Sequence, residues 1–131
     1  MGTPRTIALL GGGQLGRMFI ENALRYDVVV QVLDPDPECP CATLAHRFEV
    51  GDLTHARTVI DFAKDADVVG IEIEHVSTDA LAALKEMGKM VIPDPDVLKT
   101  INDKGLQKEF YDGHGIPTAP YALVHGEQDI L

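Results

Sequence analysis

A cluster of glycines near the start of the sequence has the spacing of a phosphate-binding turn. The apolar run Ile7-Ala8-Leu9-Leu10 is typical of a strand, and Gly11, Gly13 and Gly16 follow it in the pattern G-x-G-x-x-G. This spacing permits a tight turn, a close approach of backbone to ligand, and close packing of the next helix. Because the N–H groups that begin a helix lack partners and lie at its positive end, we expect an anion there, with phosphate the natural candidate. A turn without a ligand is the alternative.

Two acidic residues form the second group that could do chemistry. Glu72 and Glu74 follow the apolar pair Val68-Val69, at the point where a buried parallel strand should end. Side chains two apart on a strand share a face, so both carboxylates either meet solvent or converge on the carboxyl edge, where open α/β sheets bind ligands. We expect the second arrangement. His75 would then point to the opposite face, in a packing or hydrogen-bonding role.

A third acid lies where dinucleotide-binding proteins hold a ribose. Asp34 follows Gly16 by 18 residues and ends a second apolar run, which keeps a nicotinamide cofactor open as an interpretation. However, Asp34 opens the stiff sequence Asp-Pro-Asp-Pro, and a turn that merely ends the strand is the other interpretation. Cys39 and Cys41 come next, without a Cys-x-x-Cys pair or a histidine-rich partner, so we expect free thiols in a loop.

These residues need a framework of alternating strands and helices to position them. About five apolar strand patterns alternate with about five helical ones, which predicts an α/β fold with a three-layer, doubly wound, mostly parallel sheet. The first helix should run from Gln14 to about Leu24 and pack on the sheet. Its apolar face is predicted to consist of Leu15, Met18, Phe19, Ala23 and Leu24. We also expect a short helix at residues 42–46, helix N-caps at Thr54 and Thr78, and a strand at residues 121–124.

The composition excludes several classes of partner. The 131 residues include 11 Lys and Arg against 21 Asp and Glu, a formal charge of −10. Such a chain repels nucleic acid and anionic lipid, so we expect neither as a partner, and an anionic small ligand must be held by local donors. No apolar run approaches the roughly 20 residues of a membrane helix, and no signal pattern begins the chain. A cytoplasmic protein is expected.

Four motifs occur in a recognisable order. They are Gly11-Gly12-Gly13-Gln14-Leu15-Gly16-Arg17-Met18, Leu33-Asp34-Pro35-Asp36-Pro37, Glu72-Ile73-Glu74-His75-Val76, and Asp103-Lys104 followed by Gly115-Ile116-Pro117-Thr118. With these motifs in this order, the chain resembles the N-terminal domain of the carboxyaminoimidazole ribonucleotide synthetase family, which belongs to the ATP-grasp superfamily. The resemblance extends from about residue 6 to 121. The resemblance implies a Rossmann-like pre-ATP-grasp domain.

The resemblance also implies an activity and roles for residues. The family uses ATP and bicarbonate to carboxylate aminoimidazole ribonucleotide in purine biosynthesis, through carboxyphosphate. Gly13, Gln14 and Leu15 would then contribute to the ribonucleotide site. Glu72, and with it Glu74, would match the family's Glu-x-Glu motif and bind the substrate's amine or ribose hydroxyls. Lys104 would match the basic residue that reaches nucleotide phosphate; by itself it suggests only a solvated lysine at a helix start.

The same resemblance predicts an incomplete enzyme. Residues 1–118 would form the pre-ATP-grasp domain and residues 119–131 the start of a truncated ATP-grasp domain. The family's ATP-clamping domain and the acids that bind magnesium would be absent, so we expect no catalysis from this chain alone, and a homodimer stays open. The alternatives are an NAD(P)-binding oxidoreductase domain, and a formate-dependent glycinamide ribonucleotide transformylase, which usually has Glu where Gln14 stands.

Overall fold

The strands and helices alternate along most of the described chain. The structure, a computed structural model, describes residues 4–126 and 128. The strands are β1 (Thr6–Leu10), β2 (Val29–Asp34), β3 (Arg47–Val50), β4 (Val68–Ile71) and β5 (Met90–Ile92). The helices are α1 (Gln14–Ala23), α2 (Ala56–Ala63), α3 (Thr78–Glu86), α4 (Pro95–Asn102) and α5 (Lys104–Gly113). The predicted α/β alternation is confirmed.

The five strands form one sheet in the order β3-β2-β1-β4-β5, and every pairing is parallel. The chain first builds outward from β1 through β2 to β3, and then crosses to the other side of β1 to add β4 and β5. This reversal places the carboxyl ends of β1 and β4 side by side, with Leu10 opposite Ile71. In open α/β sheets, ligands bind in the crevice at such a reversal.

Two hydrophobic clusters hold the layers together, one on each face of the sheet. On one face α2, α3 and α4 cover the sheet, with Val59, Leu81 and Leu98 packed over Leu10 and Val69. On the other face α1 packs over β1 and β2, and its cluster consists of Leu9, Ile20, Ala23, Val30, Val32, Cys39 and Cys41. The three layers match the predicted doubly wound architecture.

The buried face of α1 agrees with the predicted one only at Ala23. Its buried residues are Gly16, Ile20 and Ala23, whereas Leu15 is 68% exposed and Phe19 is 41% exposed. A Cβ on Gly16 would lie 3.0 Å from the Cys41 sulfur and 3.2 Å from Leu9, so the helix approaches the sheet most closely there. Because α1 approaches the sheet most closely at Gly16, Ile20 and Ala23 face the sheet. The larger apolar side chains, including Met18 and Leu24, face away from it.

Several local predictions were wrong at the element boundaries. Residues 42–46 form turns instead of a helix, because the segment folds back on β2, where His46 and Val30 exchange two hydrogen bonds. Helices α2 and α3 begin after His55 and Ser77, one residue away from the predicted caps. Residues 121–124 form no strand. The predicted boundary after residue 118 stays a proposal, and residues 1–3, 127 and 129–131 lie outside the described part of the chain.

Candidate functional site

The glycine turn is enclosed between the loops that leave β2 and β4. Gly11 has a φ of +101°, a conformation that glycine adopts without strain. A Cβ on Gly12 would lie 2.5 Å from the sulfur of Cys39, and a Cβ on Gly13 would lie 2.6 Å from Oε1 of Glu72. A side chain at either position would therefore displace a neighbour, Cys39 for Gly12 and the Glu72 carboxylate for Gly13.

The turn leaves a set of backbone donors free. The first hydrogen bond of α1 runs from the Arg17 N–H to the Gly13 carbonyl, and no side chain caps the helix. The N–H groups of Gly13, Gln14, Leu15 and Gly16 have no acceptor among the described residues. Unpaired donors at the positive end of a helix favour an anionic ligand group, as the sequence predicts.

Glu72 faces these donors from the neighbouring strand end. Its N–H donates to the Leu10 carbonyl, 2.8 Å away, which extends the β1–β4 pairing by one residue and aims the side chain at the turn. The two carboxylate oxygens lie against Gly11 and Gly13, at 3.0 and 2.6 Å from where Cβ atoms would be. Glu72 is half-buried, and its carboxylate makes no hydrogen bond or ion pair with a described residue. The site therefore combines free donors with a free acceptor.

Glu74 does not share a strand face with Glu72, so this expectation was wrong. Strand β4 ends at Ile71, and residues 72–74 form a bend, because the chain turns there toward α3. Glu74 is exposed, and its described interactions are through its carbonyl, which accepts hydrogen bonds from the side chain of Asn102 and the N–H of Val76. His75 is also exposed, contrary to a packing role.

Lys104 lies at the first position of α5, behind the cap Asp103, and is exposed. Its Nζ is 3.4 Å from the side-chain oxygen of Gln107. The junction of α4 and α5 is tied to the loop after β4 by the bond from Asn102 to the Glu74 carbonyl. The structure therefore brings Lys104 to the side of the molecule where β4 ends, but not into contact with the glycine turn.

Asp34 occupies a place that the sequence did not predict. One carboxylate oxygen accepts the Gly12 N–H at 2.7 Å, and the other accepts the Asp36 N–H at 2.8 Å. The acid that could have bound a cofactor ribose is thus bonded to the glycine turn itself. The sequence feature that indicates close packing here is Gly12, an additional glycine between the two motif glycines Gly11 and Gly13.

The cysteines line the same side of the turn. Both are free, as expected, but buried: Cys41 is 0% exposed and donates its N–H to the Gly12 carbonyl at 3.0 Å. Burial, together with smaller contributions from negative charge on Cys39, Glu72 and Asp34, raises the pKa of Cys41 to about 11. Burial also raises the pKa of Cys39. At neutral pH these thiols are protonated, so they serve as packing groups and not as nucleophiles.

An apolar groove of about 450 Å³ adjoins the site on the α1 face of the sheet. We use this name for the surface between α1 and the uncovered strands β4 and β5, whose lining includes Leu15, Phe19, Val68, Ile71 and Ile92. Glu72 and Gly16 belong to both the groove and the site. The described residues contain no cluster of three or more His, Cys, Asp or Glu suited to a metal ion. No described helix is long and apolar enough to cross a membrane.

A doubly wound parallel sheet with free helix donors and a facing carboxylate at its topological reversal defines a Rossmann-like ligand-binding domain. Within that class, the chain belongs to the ribonucleotide synthetase preATP-grasp domain family, whose model matches residues 4–102.

Its relatives with known names include N5-carboxyaminoimidazole ribonucleotide synthase of Brucella melitensis, 35% identical over 126 residues. The match covers 96% of this chain and 34% of that protein. The phosphoribosylaminoimidazole carboxylase of Candida glabrata is 35% identical over 130 residues, which are 23% of its length. The chain corresponds to the N-terminal part of such proteins and spans at most about a third of their length.

Solved structures agree with this assignment. The N5-carboxyaminoimidazole ribonucleotide synthetase of Thermotoga maritima superimposes with a TM-score of 0.87 at 34% identity, covering 96% of this chain and 35% of that one. The Aspergillus clavatus enzyme, solved in complex with ADP and 5-aminoimidazole ribonucleotide, has a TM-score of 0.81 at 39% identity, covering 92% and 32%. These relatives favour the carboxyaminoimidazole family over the oxidoreductase and transformylase alternatives.

Proposed function

We propose that this chain is the ribonucleotide-binding part of an ATP-dependent carboxylase of purine biosynthesis. The complete enzyme would convert 5-aminoimidazole ribonucleotide, bicarbonate and ATP to N5-carboxyaminoimidazole ribonucleotide. The observation that carries the proposal is the opposition of the free N–H donors of α1 to the unpaired Glu72 carboxylate. A ribonucleotide offers both matching groups, a phosphate for the donors and hydroxyl or amine hydrogens for the acceptor.

Each residue has a limited task in this proposal. The N–H groups of Gly13, Gln14 and Leu15 hold the substrate phosphate, and the α1 dipole favours its charge. The Glu72 carboxylate accepts hydrogen bonds from the amine or ribose hydroxyls and so orients the amine that is to be carboxylated. Glu74 as a second acidic contact rests on the family's pattern alone.

ATP is the cofactor that this proposal requires, and in the complete enzyme it would supply the phosphoryl group that activates bicarbonate. Lys104 is the described residue proposed to reach a nucleotide phosphate, and its exposed position at the start of α5 leaves its ammonium available. In this proposal, magnesium is held mostly by residues of the complete enzyme outside this chain. We therefore assign no metal ligand and no chemical step to this chain.

The decisive experiment is an amide NMR titration of the chain with 5-aminoimidazole ribonucleotide. We expect shifts of the Gly13, Gln14 and Leu15 amides on binding, and a loss of about tenfold or more in affinity for Glu72→Ala, because a charge-assisted hydrogen bond is removed. Glu86→Ala is the matched control, an exposed acid at the end of α3, on the far edge of the sheet. Shifts confined to other surfaces, or equal affinities of the two variants, would contradict the proposal.

A second experiment tests the expected lack of catalysis. The chain should show no ATP hydrolysis dependent on bicarbonate and 5-aminoimidazole ribonucleotide, because it has at most one candidate cation for the nucleotide phosphates among its described residues. Robust turnover would overturn this part of the proposal. A cytoplasmic location and a homodimer belong to the complete enzyme in the same proposal.

A further inference from the structure

The loop that leaves β2 holds the glycine turn by both polar groups of one residue. The Gly12 N–H donates to the Asp34 carboxylate at 2.7 Å, and the Gly12 carbonyl accepts the Cys41 N–H at 3.0 Å. Asp34 is itself held, because its second oxygen accepts the Asp36 N–H at 2.8 Å. The peptide planes on either side of Gly12 therefore have their orientation set from outside the turn.

The turn needs such external restraint. Three consecutive glycines, Gly11 to Gly13, have more backbone freedom than any other tripeptide, and ordering them has a large entropic cost. No side chain within the turn can restrain it, and α1 has no side-chain cap that would do so from the helix side. A hydrogen bond to a carboxylate is among the stronger single restraints available to a backbone N–H.

We propose that Asp34 is a positioning residue for the ribonucleotide site. By holding the Gly12 N–H, it keeps the N–H groups of Gly13, Gln14 and Leu15 aligned toward one point, while it makes no contact with the substrate. This inference rests on the proposed function. It differs from the role of an acid in a dinucleotide-binding fold, where the carboxylate binds the ligand's ribose hydroxyls directly.

The chain offers a matched control for this acid. Asp36 is two residues away, and its carboxylate is more exposed than that of Asp34 and accepts one backbone N–H, that of Glu38 at 2.9 Å. Asp36→Ala removes the same charge and one loop hydrogen bond, but no bond to the glycine turn. Asp34→Asn is the conservative variant, because its one amide oxygen can still accept the Gly12 N–H after the charge is lost, whereas its NH2 group cannot accept the Asp36 N–H.

The first measurement uses the protein without ligand. Amide hydrogen exchange of Gly12 should accelerate by about tenfold or more in Asp34→Ala, because its acceptor is gone, while Asp34→Asn and Asp36→Ala stay within about threefold of the wild type. Thermal unfolding of each variant verifies that the fold is retained. Unchanged Gly12 exchange in a folded Asp34→Ala variant would overturn the inference, whatever happens with ligand.

The second measurement is an NMR titration with ribose 5-phosphate, followed at the amides of residues 13–15. We expect about tenfold weaker binding for Asp34→Ala and near wild-type binding for Asp34→Asn and Asp36→Ala. Equal weakening in Asp34→Ala and Asp34→Asn, or in Asp34→Ala and Asp36→Ala, would overturn the positioning role. If the wild type itself shows no shift, the proposed function fails, and the exchange measurement still decides whether Asp34 holds the turn.

Discussion

At the scale of single residues, the site depends on three adjacent glycines that meet three different surroundings. Gly11 supplies a positive φ, Gly12 makes room for Cys39, and Gly13 makes room for the Glu72 carboxylate. These demands come from different sides of the turn, so the glycines are not interchangeable. Substitutions at these positions should therefore separate effects on stability from effects on binding.

Gly13→Ala is expected to impair ligand binding more than folding. The new Cβ would lie 2.6 Å from Oε1 of Glu72, and the flexible end of that side chain can move away at a cost of about 1 kcal/mol or less. The displaced carboxylate can no longer face the donors, so affinity for 5-aminoimidazole ribonucleotide should fall about tenfold or more. Gly113→Ala, whose Cβ would meet nothing within 4 Å, is the control for both urea unfolding and titration.

The buried thiols are expected to resist alkylation in the folded protein. Because the pKa of Cys41 is raised to about 11 from 9.0, its thiolate fraction at pH 8 is about a hundredfold lower than in the unfolded chain. Mass spectrometry of iodoacetamide-labelled peptides, with and without urea, measures this ratio. Equal rates in the two states would contradict the burial of Cys41.

The same pKa shift predicts a pH dependence of stability. The folded state retains the thiol proton to higher pH than the unfolded state does, so the stabilising contribution is complete below pH 9 and is lost as pH rises through about 11. Urea unfolding at a series of pH values should show this loss, and Cys41→Ala should remove part of it. A pH profile identical in the variant would exclude Cys41 as its source.

At the scale of elements, the helices differ in how their first turns are satisfied. Helices α3, α4 and α5 each begin after a residue whose side chain accepts a backbone N–H of the first turn. These capping residues are Ser77, Asp94 and Asp103. Ser77 also donates its own N–H to the Leu53 carbonyl, which anchors the loop between β4 and α3. Since Glu72 lies in this loop, the cap of α3 contributes to the position of the site.

Ser77→Ala should destabilise the fold by about 1 kcal/mol, because the Ala80 N–H loses the acceptor that it has at 3.2 Å. Ser77→Asp should keep the stability of the wild type, since aspartate is an equally good N-cap. Urea unfolding of the three proteins measures the difference. A stable Ser77→Ala variant would show that the cap contributes nothing that solvent cannot replace.

At the scale of the whole molecule, the two faces of the sheet are covered unequally. Helices α2, α3 and α4 cover one face, whereas α1 leaves the apolar groove open over β4 and β5. Around it Leu15 is 68% exposed and Ile92 is 56% exposed. The apolar groove is therefore open to solvent on this face of the sheet.

The apolar groove should bind a hydrophobic dye such as anilinonaphthalene sulfonate at neutral pH. Phe19→Gln should reduce the fluorescence enhancement by about half or more, because the ring lines the groove, with little loss of stability for a side chain that is already 41% exposed. Met87→Gln is the control, an exposed apolar residue at the end of α3 and outside the groove. Equal fluorescence of the two variants would place the dye elsewhere.

The sequence by itself determined the features that are local or periodic. The β-branched run of β2, the glycine turn after β1 and the helical spacings predicted the α/β alternation, and four ordered motifs indicated the family. Parallel pairing follows from that alternation, because each helix returns the chain to the same edge of the sheet. The proximity of the glycine turn to Glu72 could be expected on the same ground.

Only the tertiary structure decided which groups meet across elements. The α1 sequence contains two apolar stripes, and close contact at Gly16, rather than side-chain size, selected the one that is buried. The chain bends after Ile71, which separates Glu74 from Glu72. Asp34 bonds to Gly12 across 22 positions of sequence. The sequence of one element shows which positions are apolar. The neighbour that each side chain meets depends on how two elements approach each other in space.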